Sequence, residues 1–464
     1  MLGPLFVAAG VSAFDLVVGL IVGNVLAVLS WTMMCAPIAT RARLTLYYQL
    51  EKICGRRLVT LYDLANGVMF CFLAGAMVTV SATALGVWFR FPMPGLNDLY
   101  PNSIGWVIAV FAIGAMISLV AAYGYTVVVR VANVAAPWMV LVFIAFGLIG
   151  LRQFIDATGT QVHSGADLWA LAQTAIWKGG DPLPGQVKFT FWHVMFFSWF
   201  CNMAMHIGMS DLSVLRFAKK SWYGVASGAG MFLGHYLAWI AASILYAFQL
   251  HQNANNTSVL PGPLAYQAAG LAGLMCVIIA GWTTANPTIY RAGLAFQAVV
   301  PKVSRFKVTL ITGGVATVAG MFPAITMKLL GFVALYGLLL MPMGAVIFVD
   351  FWLIRKFGLK DSYAERSGAG FNWAAGLPWF VTLAVCLLFV ELGWIIDKLA
   401  QWNILTVTDR LQWVKDTFTI QIYFVSLPGW FIAAALYVIL SRVYQRKAIP
   451  VVAEGRVGPA SAEA

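Results

Sequence analysis

The sequence predicts an all-α polytopic membrane protein of about 12 transmembrane helices, and three observations carry that expectation. Of the 464 residues 61% are apolar and only 10% are charged, and the mean hydropathy is +0.84. A soluble globular domain carries roughly a quarter charged residues. Apolar runs recur along the chain, most of them near the roughly twenty residues that a bilayer-spanning helix requires. The Lys and Arg residues sit in short loops between those runs and not on one polar domain, so the net charge of +12 reflects orientation in a bilayer and no nucleic-acid partner is expected. The six Cys show no CxxC or Cys/His metal spacing and read as small buried apolar thiols. No cluster of His, Asp or Cys stands at one membrane face, so neither an enzyme nor an organic cofactor is expected.

Residues 1–12 are apolar but too short to cross a bilayer, and they read as the second half of a span whose first half is missing. Span 2 is expected over 14–35, followed by a basic amphipathic segment at 40–57 carrying Arg41, Arg43, Lys52, Arg56 and Arg57. Spans 3, 4 and 5 are expected over 58–88, 104–123 and 134–151, and a polar external loop fills 152–188. Span 6, over 189–215, is crowded with polar and small residues. Spans 7 to 10 are expected over 223–250, 262–296, 308–323 and 328–348, and spans 11 and 12 over 373–396 and 423–442. The polar tail, 444–464, reads as disordered.

Placing both termini in the cytoplasm puts most of the 29 Lys and Arg in cytoplasmic loops, as the positive-inside rule requires. Spans 1–5 and 6–10 then start on opposite sides. Two five-helix units of opposite orientation, 1–151 and 189–356, are the arrangement from which inverted-repeat secondary transporters are built. Spans 11 and 12, within 357–443, are two extra C-terminal helices. The broken helices of such a fold are expected at spans 1 and 6.

The most chemically suggestive stretch is Ala280-Gly-Trp-Thr-Thr-Ala-Asn-Pro287 in span 8. A helix puts Ala280, Thr283 and Thr284 on one face, and Pro287 deprives the Thr283 carbonyl of its usual donor. Two hydroxyls beside a freed carbonyl are hard oxygen ligands suited to sodium. The same residues equally suit structural glue, with Thr hydroxyls returned to the backbone and Asn286 bonded to a neighbouring helix.

Several motifs resemble those of the nucleobase–cation symporter family, the purine–cytosine and hydantoin permease type. They are Gly23-Asn24 in span 2 with the basic segment ending at Gly55, Ser210-Asp211-Leu-Ser-Val-Leu-Arg216 at the end of span 6, Ala280-x-x-Thr283-Thr284, and Pro342-x-Gly-x5-Asp350-Phe-Trp-Leu-x-Arg355. The resemblance covers most of residues 3–355. It implies uptake of a small flat heterocycle such as cytosine, a purine, allantoin or a hydantoin, driven by a sodium ion or proton across the plasma (inner) membrane, with no protein partner evident. Three departures stand out: the first half of span 1 is missing, the Asp211–Arg216 spacing is two residues longer, and the span 3 region reads Phe70-Cys-Phe72, which keeps an aromatic ring but not the amide.

A flat heterocycle needs a ring to stack on and amides to read its edge. Trp199 and Asn202 in span 6, Asn286 in span 8 and Phe72 in span 3 are the expected solute contacts, and Ala280, Thr283 and Thr284 the expected cation site. Asp211 with Arg216, and Asp350 with Arg355, are expected as gating or structural ion pairs at cytoplasmic helix ends. His193 and His206 read as neutral hydrogen-bonding residues, and Asp63 as a partner for a loop Arg. The alternatives are an amino-acid or amine symporter on the same fold, or an inactive relative.

Overall fold

In hydrocarbon every backbone N–H and C=O must be satisfied inside the chain, so apolar spans have only the helix available. The computed structural model describes residues 2–95, 98–257, 259–326 and 329–447, and the long segments among them are helical. The expected polar tail beyond Lys447 lies outside the described residues.

Helix α1 (Leu2–Ala8) meets α2 (Ala13–Ser30) at a turn where Gly10 takes φ +63°. Ser12 caps α2, its Oγ accepting from the Asp15 N–H at 3.1 Å. A π-helical turn over Trp31–Cys35 leads into α3 (Ala36–Ala42). The expected basic amphipathic segment contains α4 (Leu46–Cys54), which buries Tyr47, Leu50 and Ile53. Then follow α5 (Arg56–Phe89), α6 (Ile104–Tyr123) and α7 (Tyr125–Thr158). The polar loop after α7 holds a short α8 (Gly165–Leu171).

The second unit contains α9 (Phe191–Phe200), α10 (Met203–His206), α11 (Leu212–Leu215), α12 (Gly224–Gln252), α13 (Pro261–Val299), α14 (Arg305–Gly320), α15 (Pro323–Thr326) and α16 (Leu329–Trp352). The chain continues through α17 (Tyr363–Ser367), α18 (Trp373–Gln401), α19 (Asp409–Phe418) and α20 (Ile422–Lys447). Among the described residues, nine helices are long and apolar enough to cross a membrane. The other three expected spans correspond to α1, to the interrupted α9–α11 and to α14, which has 16 residues.

The span 4 boundaries match the structure, and those of span 5 are corrected outward to Tyr125–Thr158. The physical reason is that Arg130 and Arg152 end the apolar run, whereas helical hydrogen bonds continue past it to a start at Gly124 (φ +98°). Span 6 is not one helix but three pieces.

Two close approaches position the centre. Gly19 and Gly23 on α2 leave no room for a Cβ against Val194, Met195 and Ser198 of α9, the small-residue contact that lets membrane helices meet backbone to backbone. Helices α5 and α13 meet in the same way. Gly281 abuts the Met77 carbonyl and Ser81, whose Oγ donates to the Ile278 carbonyl at 3.1 Å. Gly281→Val should therefore destabilise the protein by about 1–3 kcal/mol through overpacking. Gly314→Ala, facing open space on α14, should be neutral or slightly stabilising. Thermal unfolding of the two variants in detergent checks this, and an undiminished melting temperature for Gly281→Val contradicts it.

Candidate solute and cation site

The sixth span is broken where its polar residues crowd. After α9 the backbone leaves the helix at Asn202 (φ −110°, ψ 27°), resumes for the four residues of α10, and turns again at Met209 (φ +64°) before α11. A broken helix frees backbone groups that something must satisfy. His206 does part of this, its Nε2 donating to the Trp199 carbonyl at 3.1 Å. His193 instead serves the start of α9, its Nδ1 accepting from the Thr190 N–H at 3.2 Å. Both histidines are thus tied to helix ends.

Trp199 lies in the last turn of α9 and Asn202 at the break itself. The Trp199 indole N–H donates to Ser30 Oγ at 3.1 Å, and its ring stacks on Phe200 with centroids 4.6 Å apart. Asn202 Nδ2 lies 3.3 Å from His235 Nε2, and His235 Nδ1 lies 2.9 Å from Asn24 Oδ1. The arrangement is self-consistent for a neutral imidazole: Nδ1–H donates to Asn24, and Nε2 accepts from the Asn202 amide. Trp239 stacks on the His235 ring at 3.8 Å. Asn24 is fully buried and its Nδ2 has no partner.

On α13, Thr283 Oγ1 donates to the Ile279 carbonyl at 2.9 Å, and Thr284 Oγ1 to the Ala280 carbonyl at 3.0 Å. Thr283 also touches Met139 Sδ of α7. The hydroxyl hydrogens return to their own helix, but the oxygen lone pairs stay free to meet a cation. Thr284 is exposed. Asn286 is 1% exposed with its Oδ1 unpartnered. Among the described residues no hydrogen bond joins this window to the α9–α10 break. In α5 it is Phe70, not Phe72, that is fully buried, packing on Tyr336 at 4.8 Å; Phe72 is half-buried.

Both expected ion pairs are corrected. Asp211 pairs not with Arg216 but with Arg291 of α13, at 2.5 Å, and its other oxygen accepts from the Trp31 indole N–H at 2.7 Å. Arg216 lies over the Phe217 ring and donates to the Ser213 carbonyl. The pair is buried, with Asp211 and Arg291 side chains 8% and 10% exposed. Tyr47 donates to the Arg291 carbonyl at 3.0 Å and accepts from Asn66 Nδ2 at 3.3 Å, joining α4 and α5 to the junction. Asp350 is buried and accepts from the Tyr437 hydroxyl at 2.7 Å and the Ser362 N–H at 3.1 Å, while Arg355 bonds Asp361 at 2.6 Å. Partial burial pushes the Asp361 carboxyl up, but its hydrogen bond to Arg355 and the nearby Arg366 more than offset this and hold it below the usual carboxylate range.

His235 and Arg291 have no place in the expected site, although an ionisable residue inside an apolar span is the signal that would have found both. Each sits well within a long hydrophobic helix.

The architecture matches solved transporter structures. Mhp1, a nucleobase-cation-symport-1 family transporter, in a closed conformation with bromovinylhydantoin bound, superposes with a TM-score of 0.62 at 17% identity, over 96% of this chain and 89% of that chain. The chain has that transporter fold. An inward-facing conformation of Mhp1 gives a TM-score of 0.58 at 17% identity, over 96% of this chain and 88% of that one. A sodium-coupled sialic acid symporter in a substrate-bound outward-open state gives 0.57 at 14% identity, over 97% and 90%. All are transporters and none is an enzyme. No family model matches the sequence, and no curated protein does. The five-plus-five inverted-repeat architecture expected from the charge pattern is therefore the fold of this chain.

Removing one partner of the buried pair strands a charge. Arg291→Ala or Asp211→Ala alone should cost about 3–5 kcal/mol, whereas the double variant Asp211→Leu/Arg291→Met should lose far less. Thermal unfolding of the three chains measures this, and equal losses in single and double variants contradict it.

Proposed function

We propose that this protein is a cation-coupled secondary transporter of the plasma (inner) membrane, a divergent nucleobase–cation symporter that imports a small flat heterocycle by alternating access. One observation carries the reading: within an inverted-repeat fold, the sixth span is interrupted at Asn202, whose amide stands at the break with the Trp199 ring in the helical turn before it. Interrupted helices at such positions are where secondary transporters hold their solutes. Trp199 supplies a stacking face and Asn202 an edge-reading amide, while Asn286 and Phe72 contribute from α13 and α5. The unpartnered Asn286 Oδ1 suits a heterocyclic N–H donor.

Sodium is the coupling ion in this reading, held by the hydroxyl oxygens of Thr283 and Thr284 beside the Ala280 carbonyl. Binding of the ion favours the state that takes solute from outside, and the two affinities rise together because coupling between sites is reciprocal. The Lys and Arg bias supports a cytoplasmic position for both termini.

Proteoliposomes carrying the full chain test this with labelled cytosine, uracil, hypoxanthine, allantoin and hydantoin, with and without an inward sodium gradient. One heterocycle is expected to enter saturably and with sodium stimulation. Thr283→Ala/Thr284→Ala should abolish the stimulation, and Trp199→Ala should raise the half-saturating concentration about five- to tenfold, since an aromatic stack is worth about 1–1.4 kcal/mol. Saturable uptake with unchanged sodium stimulation in the double variant overturns the cation assignment. No uptake of any of the five overturns the solute class.

A further inference from the structure

A cavity of about 450 Å³ opens beside the broken helix, where α9 faces α16, α18 and the start of α20. Phe197, Phe200 and Tyr423 form much of its wall, and Cys201 lies where α9 ends. Five polar side chains line this largely apolar space: Gln186, Glu391 of α18, Gln421 just before α20, and Tyr423 and Ser426 in its first turns. Gln421 Oε1 and the Tyr423 hydroxyl are buried atoms without a hydrogen-bond partner. Glu391 makes no ion pair among the described residues. The cations nearest to it in α18 and α19 are otherwise engaged, Lys398 with Gln401 and Lys415 with Asp397.

Glu391 lines the cavity and is exposed within it. It lies in the apolar run Leu387-Leu-Phe-Val-Glu391-Leu-Gly-Trp394, ten residues before the end of α18. A carboxylate flanked by apolar residues on such a helix calls for a cation or a water-filled cavity. Oxygen acceptors dominate the polar groups of the chamber, so an occupant must bring donors; a carboxylate among them calls for positive charge, and aromatic walls call for an apolar body.

We infer that this cavity binds a small organic cation with an aromatic body, an amidinium or a primary ammonium, whose N–H groups meet Glu391 and Gln421 while its ring lies among Phe197, Phe200 and Tyr423. This cavity adjoins the proposed solute site, since Phe200 stacks on Trp199 and Cys201 precedes Asn202, but its lining does not include Asn202 or His235 and its chemistry differs from that of a neutral heterocycle. The inference rests on the cavity alone, so a failure of the uptake experiments leaves it standing.

The test is equilibrium dialysis of labelled benzamidine, with neutral benzamide as its near-isostere, against the purified full chain in nanodiscs. Benzamidine should bind saturably, and benzamide at least about tenfold more weakly, as expected when a charge-assisted hydrogen bond is lost. Glu391→Gln should weaken benzamidine by a similar factor and abolish its protection of Cys201 from N-ethylmaleimide. An unliganded Cys201 alkylation rate equal to that of the parent chain shows that Glu391→Gln is folded. Tyr423→Phe, which keeps the wall and removes the hydroxyl, should weaken binding by a smaller factor. Absence of saturable binding, equal binding of benzamidine and benzamide, or equal binding by folded Glu391→Gln overturns the inference.

Discussion

The buried pair of Asp211 and Arg291, with the Trp31 indole on the second carboxylate oxygen, is the interaction on which the arrangement of the central helices depends. It ties the end of the broken sixth span to α13, and through Trp31 to the π turn that ends α2. Tyr47 and Asn66 extend the same junction into α4 and α5. Taking two charges out of water costs several kcal/mol per ion, and their attraction returns little beyond that cost. A junction of this kind contributes more to which arrangement the helices adopt than to net stability. It also opens at small cost once water reaches it, because water solvates both charges. As a gate of the proposed transporter, this contact would close the face assigned to the cytoplasm.

The break in the sixth span can persist because its surroundings replace what the helix lost. His206 takes the Trp199 carbonyl, the Ser210 N–H reaches the Ala204 carbonyl at 3.0 Å, and Asn202 is steadied by His235 and Asn24. Asn24 and His235 lie on α2 and α12, so helices on both sides of the break in the chain help to hold it. Gly19 and Gly23 make this possible by letting α9 approach α2 closely. An imidazole bridging two amides holds the Asn202 side chain in one orientation, which is what an edge-reading amide requires.

How much of this was legible in the sequence follows from range. Spans were readable because lipid leaves the backbone no alternative to the helix, and α6 fits its expected bounds because Ser103 caps one end and Gly124 stops the other. The extra turns of α7 were not readable, since they lie beyond the apolar run that marks a span. The break in span 6 was foreshadowed by its polar crowding. Partner choice was not: Arg216 is the near neighbour of Asp211 in sequence, but packing brings Arg291 from a distant helix. Likewise Phe70 and Phe72 differ by two positions and so point to different sides of α5, and only the neighbouring helices decide which one is buried.

The most direct test of the central claim is the distance between spin labels at Lys219 and Lys302, which are exposed on the loops that follow α11 and α13. The account predicts one dominant short distance in the parent chain. In Arg291→Ala it predicts a second, longer population, and in the parent chain a shift between the two on adding sodium or solute. A distribution that does not change with Arg291→Ala, sodium or solute would contradict the view that this ion pair closes the inner face.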